Sequence, residues 1–84
     1  MASEKPSVAI IYNGLEKSLE YNPEAAVRAL LDHAIMAFGI SQNPHLLALF
    51  NEAGAELRDN QSAEAAGIKP GDRLLLRPSA VRGG

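Results

Sequence analysis

One segment of this chain limits its fold more than any other. Val27, Leu30, Leu31, Ala34 and Phe38 recur at spacings of three, four, seven and eleven residues, while Arg28 and Asp32 lie off that line. The period is that of a helix with a single apolar stripe. Such a stripe has to be buried, and a chain with one long helix buries it on one face of a sheet. Asn22-Pro23-Glu24 supplies the start signals: a side-chain acceptor for an orphan N–H, a proline that needs no donor, and a carboxylate for the dipole. The helix is therefore expected to run from there to about Phe38. Gly39 stands where a left-handed cap closes a helix, with Ile40 placed to pack back on the last turn.

The strands are read from runs and turns. Val8-Ala9-Ile10-Ile11-Tyr12 is followed by Asn13-Gly14, the dipeptide of a tight hairpin, and by a second strand through Lys17 to Tyr21. Alternation there sets Leu19 and Tyr21 on one face, with Ser18 and Glu20 facing water. Leu46-Leu47-Ala48-Leu49-Phe50 is too short for a free helix and reads as a strand, and Leu57 anchors a short fourth one. Residues 62–66 form a single helical turn capped by Ser62 and closed by Gly67. Ile68, the Pro70-Gly71 turn and a last strand Arg73-Leu74-Leu75-Leu76-Arg77 follow, and Pro78 ends the pairing. The order strand, strand, helix, strand, short strand, strand is that of an α+β β-grasp: a mixed sheet of four to five strands with one long helix packed on one face. Its first and last strands run parallel at the centre.

Length and composition set the function classes. At 84 residues the chain is one domain, with a flexible segment at 1–6, a folded body at 7–78 and a flexible tail at 79–84. No residue is cysteine, which excludes disulfides, thiolate metal sites and a thiol nucleophile. There is no apolar run of membrane-spanning length and no apolar signal segment after Met1, so a cytoplasmic protein without membrane contact is expected. The net charge of -2 is unevenly spread, because residues 1–68 hold four basic and nine acidic side chains, whereas Lys69, Arg73, Arg77 and Arg82 face Asp72 alone. A basic end on an acidic body steers the chain towards an acidic protein surface. Nucleic acid is not expected, since no aromatic residue lies near those four cations.

The hairpin, the Asn22-Pro23 entry, Gly67-Ile68, the Leu74-Leu75-Leu76 strand and the ending Val81-Arg82-Gly83-Gly84 together resemble ubiquitin-like proteins, over residues 7 to 84. The resemblance is to a divergent, prokaryotic-type ubiquitin-like modifier. It implies that the Gly84 carboxylate, next to Gly83, is adenylated by an activating enzyme using ATP, carried as a thioester and conjugated to a target. The chain itself then holds no cofactor, no metal and no active site, and is not an enzyme. Its implied partners are the activating enzyme, a conjugating enzyme, a deconjugating protease and the target protein. Glycine suits such an acyl end because it lacks Cβ and lets an enclosing site approach its backbone.

Arg77 and Arg82 are available to pair with acidic groups of the activating enzyme, and Lys5, Lys17 and Lys69 are the possible acceptors of a further modifier. The tail is one residue longer than ubiquitin's and carries Pro78. A sulfur carrier with a C-terminal thiocarboxylate, or a non-covalent β-grasp scaffold, is the alternative function.

An apolar patch follows from strand alternation. Residues 46–50 and 74–76 are apolar at consecutive positions, so both faces of these strands are apolar. If Ile68, Leu74 and Leu76 point to the core, Leu75 points away, beside either Leu47 and Leu49 or Leu46 and Phe50. By the resemblance, partners dock on that outward face, and Leu75, Leu49 and Leu47 are the candidates. His33 and His45 have no second ligand at metal spacing and read as surface residues. Ser62 is better used as a cap than as a nucleophile, since no nucleophile elbow surrounds it.

Overall fold

The computed structural model describes residues 6–79; residues 1–5 and 80–84, and with them Lys5, Arg82, Gly83 and Gly84, fall outside the described residues. Strand β1 (Ser7–Tyr12) turns into β2 (Leu15–Glu20), followed by helix α1 (Val27–Phe38), a 3₁₀ turn (Pro44–Leu46), β3 (Leu47–Phe50) and β4 (Arg73–Pro78). The sheet order is β2-β1-β4-β3. The β1 and β4 strands are parallel neighbours, and the other two pairings are antiparallel. The fold is therefore the mixed β-grasp sheet with a single helix.

Each turn is made by the residues that permit it. Asn13 and Gly14 both take positive φ, 55° and 81°, as a two-residue hairpin of the primed type requires. Gly39 adopts φ 66°, and its N–H bonds to the Met36 carbonyl while Ile40 N–H reaches Ile35, closing the helix with the expected left-handed cap.

The helix start differs from the sequence reading. Asn22 Oδ1 accepts a bond from Glu24 N–H at 3.0 Å, and Asn22 C=O accepts one from Ala25 N–H, so these residues form a local turn and α1 begins only at Val27. The cause is tertiary. Ala26 is extended (ψ 149°) and bridges to Ser62, while Val27 and Arg28 N–H groups donate to the carbonyls of Gln61 and Asp59 at 2.7 and 3.1 Å. The loop 59–63 satisfies the first helical donors, which leaves no need for a side-chain cap.

Two further details depart from the sequence expectations. Leu57 makes a single bridge region rather than a strand: Leu57 N–H bonds to Leu49 C=O at 2.8 Å, and Glu56 bridges to Phe50. Pro78 does not end the pairing, for it lies opposite Leu47 within β4, and the next residue continues the ladder through Ser79 N–H to Leu46 C=O at 2.7 Å. Ser79 is buried, and its Oγ donates to Glu56 Oε2 at 2.7 Å. Ser79 is thus held to the body through both its backbone N–H and its side chain.

The core lies between the sheet and α1. Val8, Ile10, Leu19, Leu47, Leu49, Leu74 and Leu76 from the inner sheet face meet Val27, Leu30, Leu31 and Ala34 from the helix stripe, with Leu57, Ala63 and Ile68 closing the far end. Ser62 accepts a bond from Ala65 N–H at 3.0 Å, the expected cap of that turn. Tyr21 is also buried, and its hydroxyl donates to Ile68 C=O at 3.4 Å. Desolvation, then the charges of Asp72 and Glu64, raises this phenol above its ordinary 10.0. The folded state therefore holds the proton more tightly than the unfolded chain. That contribution is complete below pH 10.0, the unfolded value, and is lost as pH climbs through the higher folded value. Tyr21→Phe is expected to flatten the alkaline fall of stability in urea titrations above pH 10.0, while costing about 1 kcal/mol or less at neutral pH; an identical alkaline limb in both proteins would contradict this role.

Candidate functional site

The outward face of the sheet is built by alternation along strands whose inner face is already committed to the core. On β1 and β4 the inward residues are Val8, Ile10, Leu74 and Leu76, so Ala9, Ile11, Arg73, Leu75 and Arg77 point to the other side. On β3 the register pairs Leu49 with Leu76 and Leu47 with Pro78. Leu47 and Leu49 therefore face inward, at 6% and 1% exposure, and belong to the core rather than to a docking patch. The residues beside Leu75 are Phe50 and, one pair further along, Ala48. An all-apolar run carries no alternation from which to choose a face. Its phase is set from outside, by the 3₁₀ turn ending at Leu46 and by the Ser79 bond to that residue's carbonyl.

Phe50 is only 8% exposed although no helix covers this face. It pairs with Leu75 and bridges to Glu56, and the Arg77 guanidinium carbon lies 5.3 Å from its ring centre. A guanidinium placed there is held by the ring's negative face while its own edge stays in water. The patch accordingly presents Ile11 and Leu75, both half-buried, beside a basic group laid over an aromatic ring. Ile11 escaped the sequence reading; the consecutive Ile10-Ile11 pair was the signal that both faces of β1 carry apolar side chains.

The two described lysines differ in their freedom. Lys17 Nζ donates to the Ala37 carbonyl at 2.9 Å and stands 5.5 Å from the Phe38 ring centre, which also meets Tyr12 at 5.5 Å. It is a cation at a helix C-terminus, where the orphan carbonyls attract positive charge. Lys69 is exposed in the Pro70-Gly71 turn, where its backbone N–H bonds to Asp72 Oδ2 at 2.9 Å.

An open groove of about 450 Å³ is lined by Pro6, Tyr21, Asn22 and His33, and another of about 670 Å³ by Ile35, Met36, Pro44 and His45, so the two imidazoles lie in different places. Among the described residues no group of three or more His, Asp or Glu side chains could hold a metal ion, and no helix is long and apolar enough to cross a membrane.

No family model matches the chain, and no curated protein matches its sequence. Solved structures do match its fold. Ubiquitin of Caldiarchaeum subterraneum superposes with a TM-score of 0.75 at 25% identity, over 96% of this chain and 100% of that one. A ubiquitin-like domain of an Arabidopsis thaliana protein superposes at 0.76, with 18% identity over 92% of this chain and 80% of that one. ATBAG1, solved in complex with HSP70, superposes at 0.76 with 17% identity, and this chain, 93% of which is covered, spans 42% of its length.

The register makes a direct prediction about the two leucines once grouped together. Leu49→Ala is expected to cost roughly 2–5 kcal/mol in urea unfolding, as a cavity in a packed core does, and Leu75→Ala about 1 kcal/mol or less. Equal losses at the two positions would mean that β3 is paired one residue out of step.

Proposed function

We propose that this divergent ubiquitin-like β-grasp protein is a protein modifier whose Gly84 carboxylate is adenylated by an activating enzyme, carried as a thioester and joined to a target. The observation that carries the reading is the course of β4. The strand runs through the centre of the sheet, is fixed to the body as far as Ser79, and is followed in sequence by Ala80-Val81-Arg82-Gly83-Gly84. Five residues span at most about 16–18 Å when extended, enough to carry a carboxylate from a rigid body into an enclosing site.

A carboxylate does not acylate an amine at neutral pH, because the oxygen it must expel is a poor leaving group. Adenylation turns that oxygen into part of AMP and releases pyrophosphate. Attack by a cysteine thiolate of the activating enzyme then expels AMP and leaves a thioester, from which a lysine amine of the target takes the acyl group. The chain contributes the acyl end and the recognition surface, and its partners contribute the nucleotide chemistry. Gly83 and Gly84 let the backbone be gripped from all sides. Arg82, beside the reacting end, and Arg77, on the outward sheet face, are the cations proposed to meet acidic groups of the activating enzyme. Leu75 with Ile11 supplies the apolar part of the docking surface. Among the described lysines, Lys69 is better placed as an acceptor than Lys17, whose ammonium is held at the end of α1.

Affinity-tagged chain expressed in its native cell is expected to give covalent adducts that survive denaturation, and tryptic digestion after Arg82 should leave a Gly-Gly remnant on target lysines. Removal of Gly83 and Gly84 should abolish every adduct while leaving the urea midpoint unchanged. Recovery of the chain only as a free species that has exchanged one oxygen for sulfur would replace the modifier with a sulfur carrier. Partners retained in full by the shortened chain, with no adducts on either form, would make it a non-covalent scaffold.

A further inference from the structure

The outward sheet face carries one row of side chains whose order is complementary to itself. The pairing register places Glu16 of β2, Ile11 of β1, Leu75 of β4 and Phe50 of β3 at one level across the four strands. With neighbouring strands about 4.8 Å apart, the row is ~14 Å long. Its β2 end is acidic. Its β3 end is basic, because the Arg77 guanidinium lies over the Phe50 ring. Between them stand the half-buried Ile11 and Leu75. Glu16 and Arg77 are both exposed, and neither is ion-paired with another described residue.

We propose that this face pairs with the same face of a second copy of the chain, as a two-fold dimer. An axis parallel to the strands and midway between β1 and β4 lays the row on its own reverse. Ile11 of each copy then faces Leu75 of the other, and each Glu16 faces the other copy's Arg77 above Phe50. Rotation about such an axis leaves every residue at its own level along the strand, so the opposite charges meet without a shift of register. Moving the axis onto β1 would instead set Leu75 against Glu16, an apolar side chain against a carboxylate, so the order of the row selects the axis. Two sheets meeting this way pack face to face in the aligned arrangement. The same order suits a second copy along the whole row, whereas the acidic groups proposed for the activating enzyme meet only its Arg77 end.

The contact is small, and the ion pairs at its edges contribute more to orientation than to affinity. The dimer is therefore weak, with a dissociation constant on the order of 0.1–1 mM, and it covers Leu75 and Ile11 when it forms. It does not depend on the chemistry of Gly84.

Sedimentation equilibrium on the full chain tests the proposal. The apparent mass is expected to rise from monomer towards dimer between about 0.05 and 2 mM protein, with the association weakened several-fold by raising salt from roughly 0.05 to 0.5 M. Glu16→Arg and Arg77→Glu should each weaken association about fivefold or more when alone, and an equimolar mixture of the two should restore it to within about twofold of the parent. A chain that remains monomeric at about 2 mM overturns the proposal without reference to any variant. So does a mixture that associates no better than its separate components, provided circular dichroism shows both variants folded. If Arg77→Glu fails to fold, Ile11→Lys takes its place: abolished association supports this face, and unchanged association overturns it.

Discussion

The parallel pairing of β1 with β4 is the contact on which the other features depend. It joins residues 9–11 to residues 73–75, across nearly the whole described chain, and it cannot form through a tight turn. Closing so long a loop costs entropy that must be offset by burial. The offset is local to the same strands: Ile10 and Leu74, directly paired, are 0% and 1% exposed, and both lie in the cluster formed with the helix stripe. Tyr21 N–H to Pro6 C=O, Gly71 N–H to Ser7 C=O and Ala9 N–H to Asp72 C=O, at 2.8 to 3.0 Å, tie the same region from both sides. Helix α1 is part of the crossover that this pairing demands, and its N-terminal donors are satisfied by the 59–63 loop of the return path.

Once the centre is paired, alternation divides the sheet into two surfaces with different work. The inner one is apolar and shut. The outer one keeps Ile11 and Leu75 half-buried, beside the exposed Arg77 whose guanidinium lies over the buried Phe50 ring. Because β4 lies between β1 and β3 and is bonded through Ser79, residues 80–84 follow from a strand anchored on both sides.

Much of this was legible in the residues, for reasons that explain the failures too. The hairpin at Asn13-Gly14, the cap at Gly39 and the Pro70-Gly71 turn are backbone demands that few residues meet, and each appears where its dipeptide or glycine stands. The helix stripe was visible because its period is long and unbroken. The helix start was misplaced, since Asn22-Pro23-Glu24 carries true capping chemistry that is spent on an isolated turn, while a loop some 35 residues later supplies the acceptors. The phase of β3 was not readable because Leu46 to Phe50 is apolar throughout, and only the pairing with β4 distinguishes Leu49 from Phe50. Pro78 was read as a terminator because proline lacks a donor, yet at its place opposite Leu47 the ladder continues through the neighbouring Ser79 N–H.

The functional account joins that anchored strand to the Arg82-Gly83-Gly84 sequence that follows it, and its central claim is that the Gly84 carboxylate is the reacting group. ATP–pyrophosphate exchange catalysed by the cognate activating enzyme measures this step directly, before any target or conjugating enzyme is involved. The account predicts exchange that depends on the added chain and disappears when the Gly84 carboxylate is converted to a primary amide, a change that leaves the folded body intact. Absence of exchange with the unmodified chain, or equal exchange with the amidated one, would contradict it.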